Sequence, residues 1–181
     1  AADGRLFVAD TWNSRVQVLS PAGKPLSEWH ADFYGPRGIA ADGAGGVYVA
    51  DTGNGRIVHL SPRGEVLLKW GSRGSAPGQF VEPIGIAVDR RQRVWVCDNG
   101  NGRLQIFDGR GSLQKTFPVA GWRQEVFSEP QAAADPREGV WVTVPLKREV
   151  LLYSAEGKVL RRLGGSQVPG AAFSFTRPMG I

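Results

Sequence analysis

The feature that most constrains this chain of 181 residues is an internal repeat. Four segments share one apolar pattern in the same phase: LFVADTWNSRV from Leu6, VYVADTGNGRI from Val47, VWVCDNGNGRL from Val94 and VWVTVPLKREV from Val140. The aligned aspartates Asp10, Asp51 and Asp98 recur at intervals of 41 and 47 residues. A period of about 20 to 50 residues indicates units that stack on one another, because a single unit cannot bury its own apolar faces.

Each repeat contains four short β-rich runs. In the second copy these runs are GIAAD at 38–42, VYVA at 47–50, RIVHLS at 56–61 and EVLLKW at 65–70. Glycine, proline and aspartate separate the runs, and the spacing leaves no room for helices between them. Most positions in the runs are apolar, which is typical of sheets buried on both faces. Four strands per repeat predict the blades of a β-propeller.

The predicted fold class is therefore all-β. We expect one propeller segment of four antiparallel four-stranded blades, with no helix longer than about one turn. The repeats that form the blades are 1–39, 40–86, 87–133 and 134–181. A phenylalanine lies three residues before the proline that opens each inner strand, at Phe33, Phe80, Phe127 and Phe175. We expect these four side chains to be buried between blades.

The repeated motifs resemble the NHL repeat, a β-propeller family. The shared elements are Pro-x-Gly-Ile-Ala-x-Asp, Val-x-Val-Ala-Asp-x-x-Asn-x-Arg and Trp-Gly, and they are clearest in the second and third copies. The resemblance runs through all four repeats, and it implies an NHL-type propeller. Propellers of this kind usually have six blades, so we expect an open arc taken from a longer ring. The alternative is a closed four-bladed ring in which residues 178–181 complete the first inner strand.

The fourth copy departs from the family pattern. Val144, Lys147 and Glu149 replace the aspartate, asparagine and arginine of the loop, and Ala132 and Ala133 replace Gly-Ile in the inner strand. We expect this blade to keep the fold but to present a different rim.

The Asp-x-x-Asn-x-Arg loop is the sharpest local motif. Its acidic and amide members are Asp10, Asn13, Asp51, Asn54, Asp98 and Asn101. Aspartate and asparagine stabilise tight turns by bonding nearby backbone N–H groups. An enzyme needs one catalytic set, so a set repeated in successive blades indicates a structural role.

The same loops line the usual binding face of a propeller. Trp12 replaces a glycine there, and exposed tryptophan is a frequent anchor for a partner. The candidate binding residues on this rim are Trp12, Arg15, Arg56, Arg103, Trp122 and Arg123. The last two lie in the loop between the third and fourth repeats.

No catalytic, metal or cofactor site is predicted. His59 aligns with core strand positions and His30 follows Trp29 in a loop, so the two histidines do not form a zinc set. Cys97 is the single cysteine, and it aligns with Ala9 and Ala50 on a strand. We expect it to be a small buried apolar residue rather than a nucleophile.

Three functions remain open. The leading one is a scaffold that binds a protein or small ligand through its loop rim without catalysis. The alternatives are part of a lactonase-like or lyase-like enzyme whose metal site lies in other blades, and an RNA-binding propeller. The net charge of +5 is spread along the chain, which disfavours a nucleic-acid footprint. The 181 residues contain no predicted membrane-spanning segment or signal peptide, and the sequence assigns no compartment.

Overall fold

The computed structural model describes residues 3–122 and 129–165, together with Phe175 and Pro178. These residues form antiparallel β-sheets, one for each repeat, in which strands adjacent in sequence pair with each other. We call each sheet a blade and its strands A to D in chain order. Strands A of neighbouring blades contact each other, so they form the inner edge of the arc. No helix in the described part of the chain is long and apolar enough to cross a membrane.

The strand bounds follow the repeat. Blade 1 contains β1 (Leu6–Asp10), β2 (Arg15–Leu19) and β3 (Pro25–Trp29). Blade 2 contains β4 (Gly38–Ala41), β5 (Val47–Asp51), β6 (Arg56–Leu60) and β7 (Val66–Trp70). Blade 3 contains β8 (Pro83–Val88), β9 (Val94–Asp98), β10 (Arg103–Phe107) and β11 (Leu113–Pro118). Blade 4 contains β12 (Ala132–Ala134), β13 (Val140–Val144), β14 (Glu149–Tyr153) and β15 (Val159–Gly164).

One turn of 3-10 helix joins strands B and C in each blade. These turns are η1 (Thr11–Asn13), η2 (Thr52–Asn54), η3 (Asn99–Asn101) and η4 (Pro145–Lys147). They are the only helical segments among the described residues, which agrees with the expected absence of longer helices there.

The expected four strands are present in blades 2, 3 and 4. Blade 1 has three strands among the described residues, and these correspond to strands B, C and D. A closed ring would place residues 178–181 beside β1, but of these residues the structure describes only Pro178.

The hydrophobic core consists of layers between neighbouring blades. Strand β5 shows how the sequence builds them, because successive side chains of a strand point to opposite faces. Val47 and Val49 belong to the layer shared with blade 1, whereas Tyr48 and Ala50 belong to the layer shared with blade 3. A strand that serves two cores must be apolar at consecutive positions, which confirms the interpretation of the apolar runs.

An aromatic residue at the end of strand D packs against a glycine of the next blade. The glycine lies in the turn between strands C and D, and the pairs are Trp29 with Gly64, Trp70 with Gly111 and Phe117 with Gly157. A Cβ atom on Gly111 would lie 2.9 Å from the Trp70 ring, and this glycine also has a φ of +78°. The turn therefore requires glycine for its backbone conformation and for the close approach of the ring.

Two of the four aligned phenylalanines are buried between blades, as predicted. Phe33 lies in the core between blades 1 and 2, and Phe80 lies in the core between blades 2 and 3. Phe175 is only partly buried, which differs from the expectation. Phe127 lies outside the described residues.

Candidate functional site

The loops between strands B and C and those between strands D and A lie on one side of the arc, which we call the loop rim. Residues of both loop types line a single groove of about 290 Å³. The turns between strands A and B and between strands C and D meet on the other side, where Arg91, Glu138 and Glu156 line a separate pocket. This arrangement is the one that the repeat predicts.

The Asp-x-x-Asn-x-Arg sequence closes on itself in each of the first three blades. The aspartate accepts hydrogen bonds from the side-chain amide of the asparagine and from Nε of the arginine. The two bonds are 3.0 and 2.9 Å for Asp10 with Asn13 and Arg15, 2.9 and 2.8 Å for Asp51 with Asn54 and Arg56, and 2.8 and 2.7 Å for Asp98 with Asn101 and Arg103. The intervening 3-10 turn reverses the chain and brings the three side chains together.

This cluster also holds the loop that enters the blade from its predecessor. The backbone N–H of Tyr34 donates to Asp51 over 2.8 Å, and that of Val81 donates to Asp98 over 2.8 Å. In return, the N–H groups of Gly53 and Gly100 donate to the carbonyls of Tyr34 and Val81. The aspartate is therefore a fastening point between two loops, which is a structural role.

The arginines of the motif complete the same fastening. Arg56 donates to the carbonyls of Ala31 and Asp32. Arg103 donates to the carbonyls of Ser75, Ala76 and Gln79. Arg15 bonds Asp10 and Glu28 instead. These guanidinium groups are committed to internal contacts, so the geometry gives Arg15, Arg56 and Arg103 a structural role and supplies no argument for their predicted role in binding.

Burial changes the electrostatics of this motif from blade to blade. Burial raises the pKa of Asp98 above its usual range, although bonds from Asn101, Val81 and Arg103 favour the carboxylate. Asp10 is partly exposed, and there the bonds from Arg15 and Asn13 lower the pKa of the carboxyl. The asparagine and arginine bonds lower the carboxyl pKa in both blades, and the net shift differs because burial outweighs them only at Asp98.

The fourth loop replaces this polar cluster with apolar packing. Val144 stands at the aspartate position and belongs to one apolar cluster with Trp122. Glu149 stands at the arginine position and pairs with Arg162 of the same blade. Lys147, at the asparagine position, is exposed. The expectation of a kept fold with a different rim is met in these residues.

Trp122 is not a surface residue, and this corrects its assignment to the binding rim. Its side chain is 3% exposed, and its indole N–H donates to the carbonyl of Thr143 over 2.9 Å. The loop of Trp122 covers the apolar fourth blade, so the indole fills the core instead of facing a partner. Arg123 lies outside the described residues.

Trp12 is the exposed aromatic residue that the sequence predicted. Its side chain is 95% exposed and lines the groove on the loop rim. The equivalent positions in blades 2 and 3 are Gly53 and Gly100, where a Cβ atom would collide with Tyr34 and Val81 respectively. These glycines admit the incoming loop, whereas Trp12 has no such residue over it in the described part of the chain.

Tyr34 is a second exposed aromatic residue in this groove, and the sequence analysis missed it. Its side chain is 68% exposed, while its backbone is fixed by the bonds to Asp51 and Gly53. The criterion that identified Trp12 would also have found it, because blade 3 has a valine at this position. The hydroxyl of Thr11 donates to the Pro36 carbonyl over 2.8 Å and joins the loop of Trp12 to that of Tyr34.

The rest of the groove lining is polar, charged or glycine. It comprises Thr11, Ser14, Gly35, Arg37, Thr52, Gly53, Arg73 and Glu82. Arg37 pairs with Glu129 of the loop before blade 4 at 2.9 Å. Neither Arg73 nor Glu82 has an ion-pair partner among the residues that the structure describes.

A second set of carboxylates lies at the turns between strands A and B. Asp89 accepts a bond from the indole N–H of Trp95 over 2.9 Å, and Asp135 accepts one from Trp141 over 2.8 Å. In blade 2 the aromatic residue is Tyr48, and His59 bonds Asp42 over 2.9 Å instead. The repeated Asp-x5-Trp spacing was the available signal for these contacts.

His59 and Cys97 have structural surroundings. The imidazole of His59 stacks on Tyr48 with ring centroids 4.0 Å apart, which agrees with its expected packing in the strand. Cys97 is fully buried, and this burial raises the pKa of its thiol. Its expected role as a small buried residue is confirmed. Within the described residues, no three histidine, cysteine, aspartate or glutamate side chains are placed to hold a metal ion.

Antiparallel sheets that pack face to face around their inner strands define a β-propeller architecture. A sequence model of the NHL repeat matches residues 33–60 and 80–107, each of which runs from an aligned phenylalanine to the end of strand C. These two segments therefore match the NHL repeat, and the stacked sheets give the chain a propeller architecture. A search of curated proteins finds no match.

Solved structures of propeller proteins agree with this architecture. A streptogramin B lyase superposes with a TM-score of 0.72 at 14% identity, over 94% of this chain and 54% of that chain. An inactive virginiamycin B lyase from Staphylococcus aureus with quinupristin gives 0.71 at 13%, over 93% and 54%. Hydrazine synthase from Kuenenia stuttgartiensis gives 0.68 at 17%, over 88% and 45%. At these identities the likeness shows the fold alone, and this chain spans about half the length of each of these structures.

Proposed function

We propose that this chain is a non-catalytic binding module that holds a ligand in the groove of Trp12 and Tyr34 on the loop rim. The observation that carries the proposal is that Trp12 and Tyr34, two aromatic residues that break the repeat, line one groove. Blades 2 and 3 fold with glycine at the position of Trp12, so the repeat does not need an indole there. Tryptophan combines a large apolar face with a hydrogen-bond donor, which suits the recognition of a ligand.

The groove is also held rigidly. The backbone of Tyr34 is bonded to Asp51 and Gly53, and Thr11 joins the two loops that carry the aromatic residues. A fixed backbone reduces the ordering entropy that binding costs, which favours affinity.

The alternative functions have less support from the described residues. The three repeated arginines that an RNA-binding face would use are bonded to carboxylates, and Arg56 and Arg103 are also bonded to loop carbonyls. For an enzyme, the two histidines would have to share one site, but they have different partners. His59 is bonded to Asp42, and His30 is an exposed neighbour of Glu28. Two of the similar structures are lyases, but their likeness to this chain is one of fold.

The test is a selection for ligands followed by a comparison of variants. The purified chain is screened against a displayed library of random peptides and a panel of immobilised glycans, and each selected ligand is titrated by calorimetry. We expect Trp12→Ala to weaken binding at least about tenfold, as truncation of a central aromatic anchor does. Leu146→Ala is the matched control, because Leu146 is the exposed residue at the same position of the fourth loop. Equal affinity of the Trp12→Ala variant and the wild type for all selected ligands would reject the proposal.

A further inference from the structure

The loop-rim groove is lined by two aromatic rings and otherwise by glycine and polar residues. Its apolar surface comes from two aromatic rings, Trp12 and Tyr34, and no aliphatic side chain lines it. Every other lining residue is glycine or carries a hydroxyl, a guanidinium or a carboxylate. The core of a protein interface is likewise enriched in tryptophan, tyrosine and arginine, but it is depleted in serine and glutamate, both of which line this groove. This groove offers flat rings with a polar edge instead.

The polar residues at the edge of the groove can form hydrogen bonds with the hydroxyl groups of a ligand. Arg73 and Glu82 have no ion-pair partner in the described part of the chain, so five N–H donors and a two-oxygen acceptor are available to a ligand. The hydroxyls of Thr11 and Thr52 donate to the carbonyls of Pro36 and Pro83 over 2.8 and 2.6 Å. Their proton is therefore used internally, and each hydroxyl oxygen can only accept a further hydrogen bond.

A sugar ring matches both halves of this surface. One face of a pyranose carries C–H groups, which carry a small positive charge and are attracted to the negative face of an aromatic ring. Its edge carries hydroxyls that both donate and accept hydrogen bonds. The two exposed aromatic residues belong to different loops, so they can contact successive rings of a chain.

We infer that the ligand class of this groove is an oligosaccharide, with sugar rings on Trp12 and Tyr34 and hydroxyls on Arg73 and Glu82. This inference rests on the proposed function, because it names the ligand of the same groove. The proposed ligand is a carbohydrate, and the experiment tests a peptide as the alternative ligand.

The experiment titrates the purified chain with chitohexaose, cellohexaose, mannohexaose and hexagalacturonate, and it follows tryptophan fluorescence and heat. We expect at least one of these sugars to bind with a Kd of about 10 µM to 1 mM, the range open to a groove that leaves its ligand partly in water. Trp12→Ala should weaken this binding at least about tenfold. Trp12→Phe should keep it within about threefold because a ring remains to stack. Leu146→Ala should leave it unchanged.

The emission of Trp12 provides a second readout. A fluorescence change that is present in the wild type and absent in Trp12→Phe, while heat shows that the variant still binds, places the sugar on the indole. Saturable binding that Trp12→Ala does not weaken would overturn the inference, because the sugar would then lie elsewhere.

The failure of this inference is distinguishable from that of the proposed function. If none of the four sugars binds while selected peptides bind in a Trp12-dependent way, the carbohydrate assignment is wrong and the binding groove stands. If Trp12→Ala changes the affinity for neither class, both proposals are rejected.

Discussion

Asp89 shows how a single carboxylate is stabilised within this fold. Burial favours its protonated form, but the indole of Trp95, the side chain of Arg93 and the N–H groups of Arg93 and Arg91 all bond the carboxylate. These bonds outweigh burial, so the pKa of Asp89 lies below its usual value. A carboxyl whose pKa is lower in the folded state stabilises the fold above its unfolded pKa and loses that contribution as the pH falls through its folded pKa.

The first prediction follows from this pKa. Asp89→Asn should destabilise the protein at pH 7, and the difference in unfolding free energy from the wild type should shrink as the pH falls from about 5 to 3. Urea denaturation at a series of pH values measures the difference. A destabilisation that stays constant down to pH 3 would mean that ionisation of Asp89 contributes nothing to stability.

The second prediction concerns Phe80, whose side chain is fully buried between blades 2 and 3 and lies near Phe107 and Gly71. Phe80→Ala should cost about 3–5 kcal/mol of unfolding free energy, because the cavity opens in a layer that two blades share. Val81→Ala, at the partly exposed neighbour, serves as the control and should cost much less. Chemical denaturation that shows a loss below about 1 kcal/mol for Phe80→Ala would contradict the packing described here.

Trp12 and Trp122 show that the sequence did not predict which loop residues are exposed. Both are single tryptophans in loops with no counterpart in the other repeats, so the sequence assigned them to the same rim. The structure exposes the first and buries the second, because the loop of Trp122 covers a blade whose polar aspartate position is occupied by Val144. Burial of a loop residue depends on what lies beneath the loop, and the repeat pattern does not contain that information.

At the scale of elements, the repeat predicted the strands and their order closely. The four runs of the second copy overlap β4 to β7, since apolar runs between glycine-rich turns leave the backbone little alternative. The 3-10 turns were not predicted. They form in loops of four residues between strands B and C, the last of which, such as Gly55 or Gly102, is left-handed.

The turn between strands C and D gives an element-scale prediction. Gly111→Ala should destabilise the protein by about 1–3 kcal/mol, because the residue has a positive φ and its Cβ would approach the Trp70 ring. Gly23→Ala is a matched control, because Gly23 has the same turn position and a φ of +76° but no atom within 4 Å of the added Cβ. Thermal and urea unfolding measure both. Equal losses for the two variants would show that the aromatic contact between blades adds nothing.

At the scale of the molecule, the repeat separates two kinds of residue. Residues that recur from blade to blade, such as Asp98 and Arg103, fasten loops to one another. Of the residues that break the repeat, Trp12 and Tyr34 face water in one groove, whereas Trp122 is buried. Stability therefore belongs to the repeated set, and ligand binding is proposed for the exposed exceptions.

One paired measurement tests this division directly: unfolding free energy and ligand affinity, determined for Trp12→Ala and Arg103→Met in the same preparations. The ligand is the tightest-binding hexasaccharide or, if none binds, the tightest selected peptide. Trp12→Ala should lose at least about tenfold in affinity and change stability by less than about 0.5 kcal/mol. Arg103→Met should lose about 1–3 kcal/mol of stability, because it removes one hydrogen-bond donor from Asp98 and one from each of three loop carbonyls, and the folded protein should keep its affinity. The reverse pattern, in which Arg103→Met abolishes binding by a folded protein of wild-type stability while Trp12→Ala binds normally, would contradict the account.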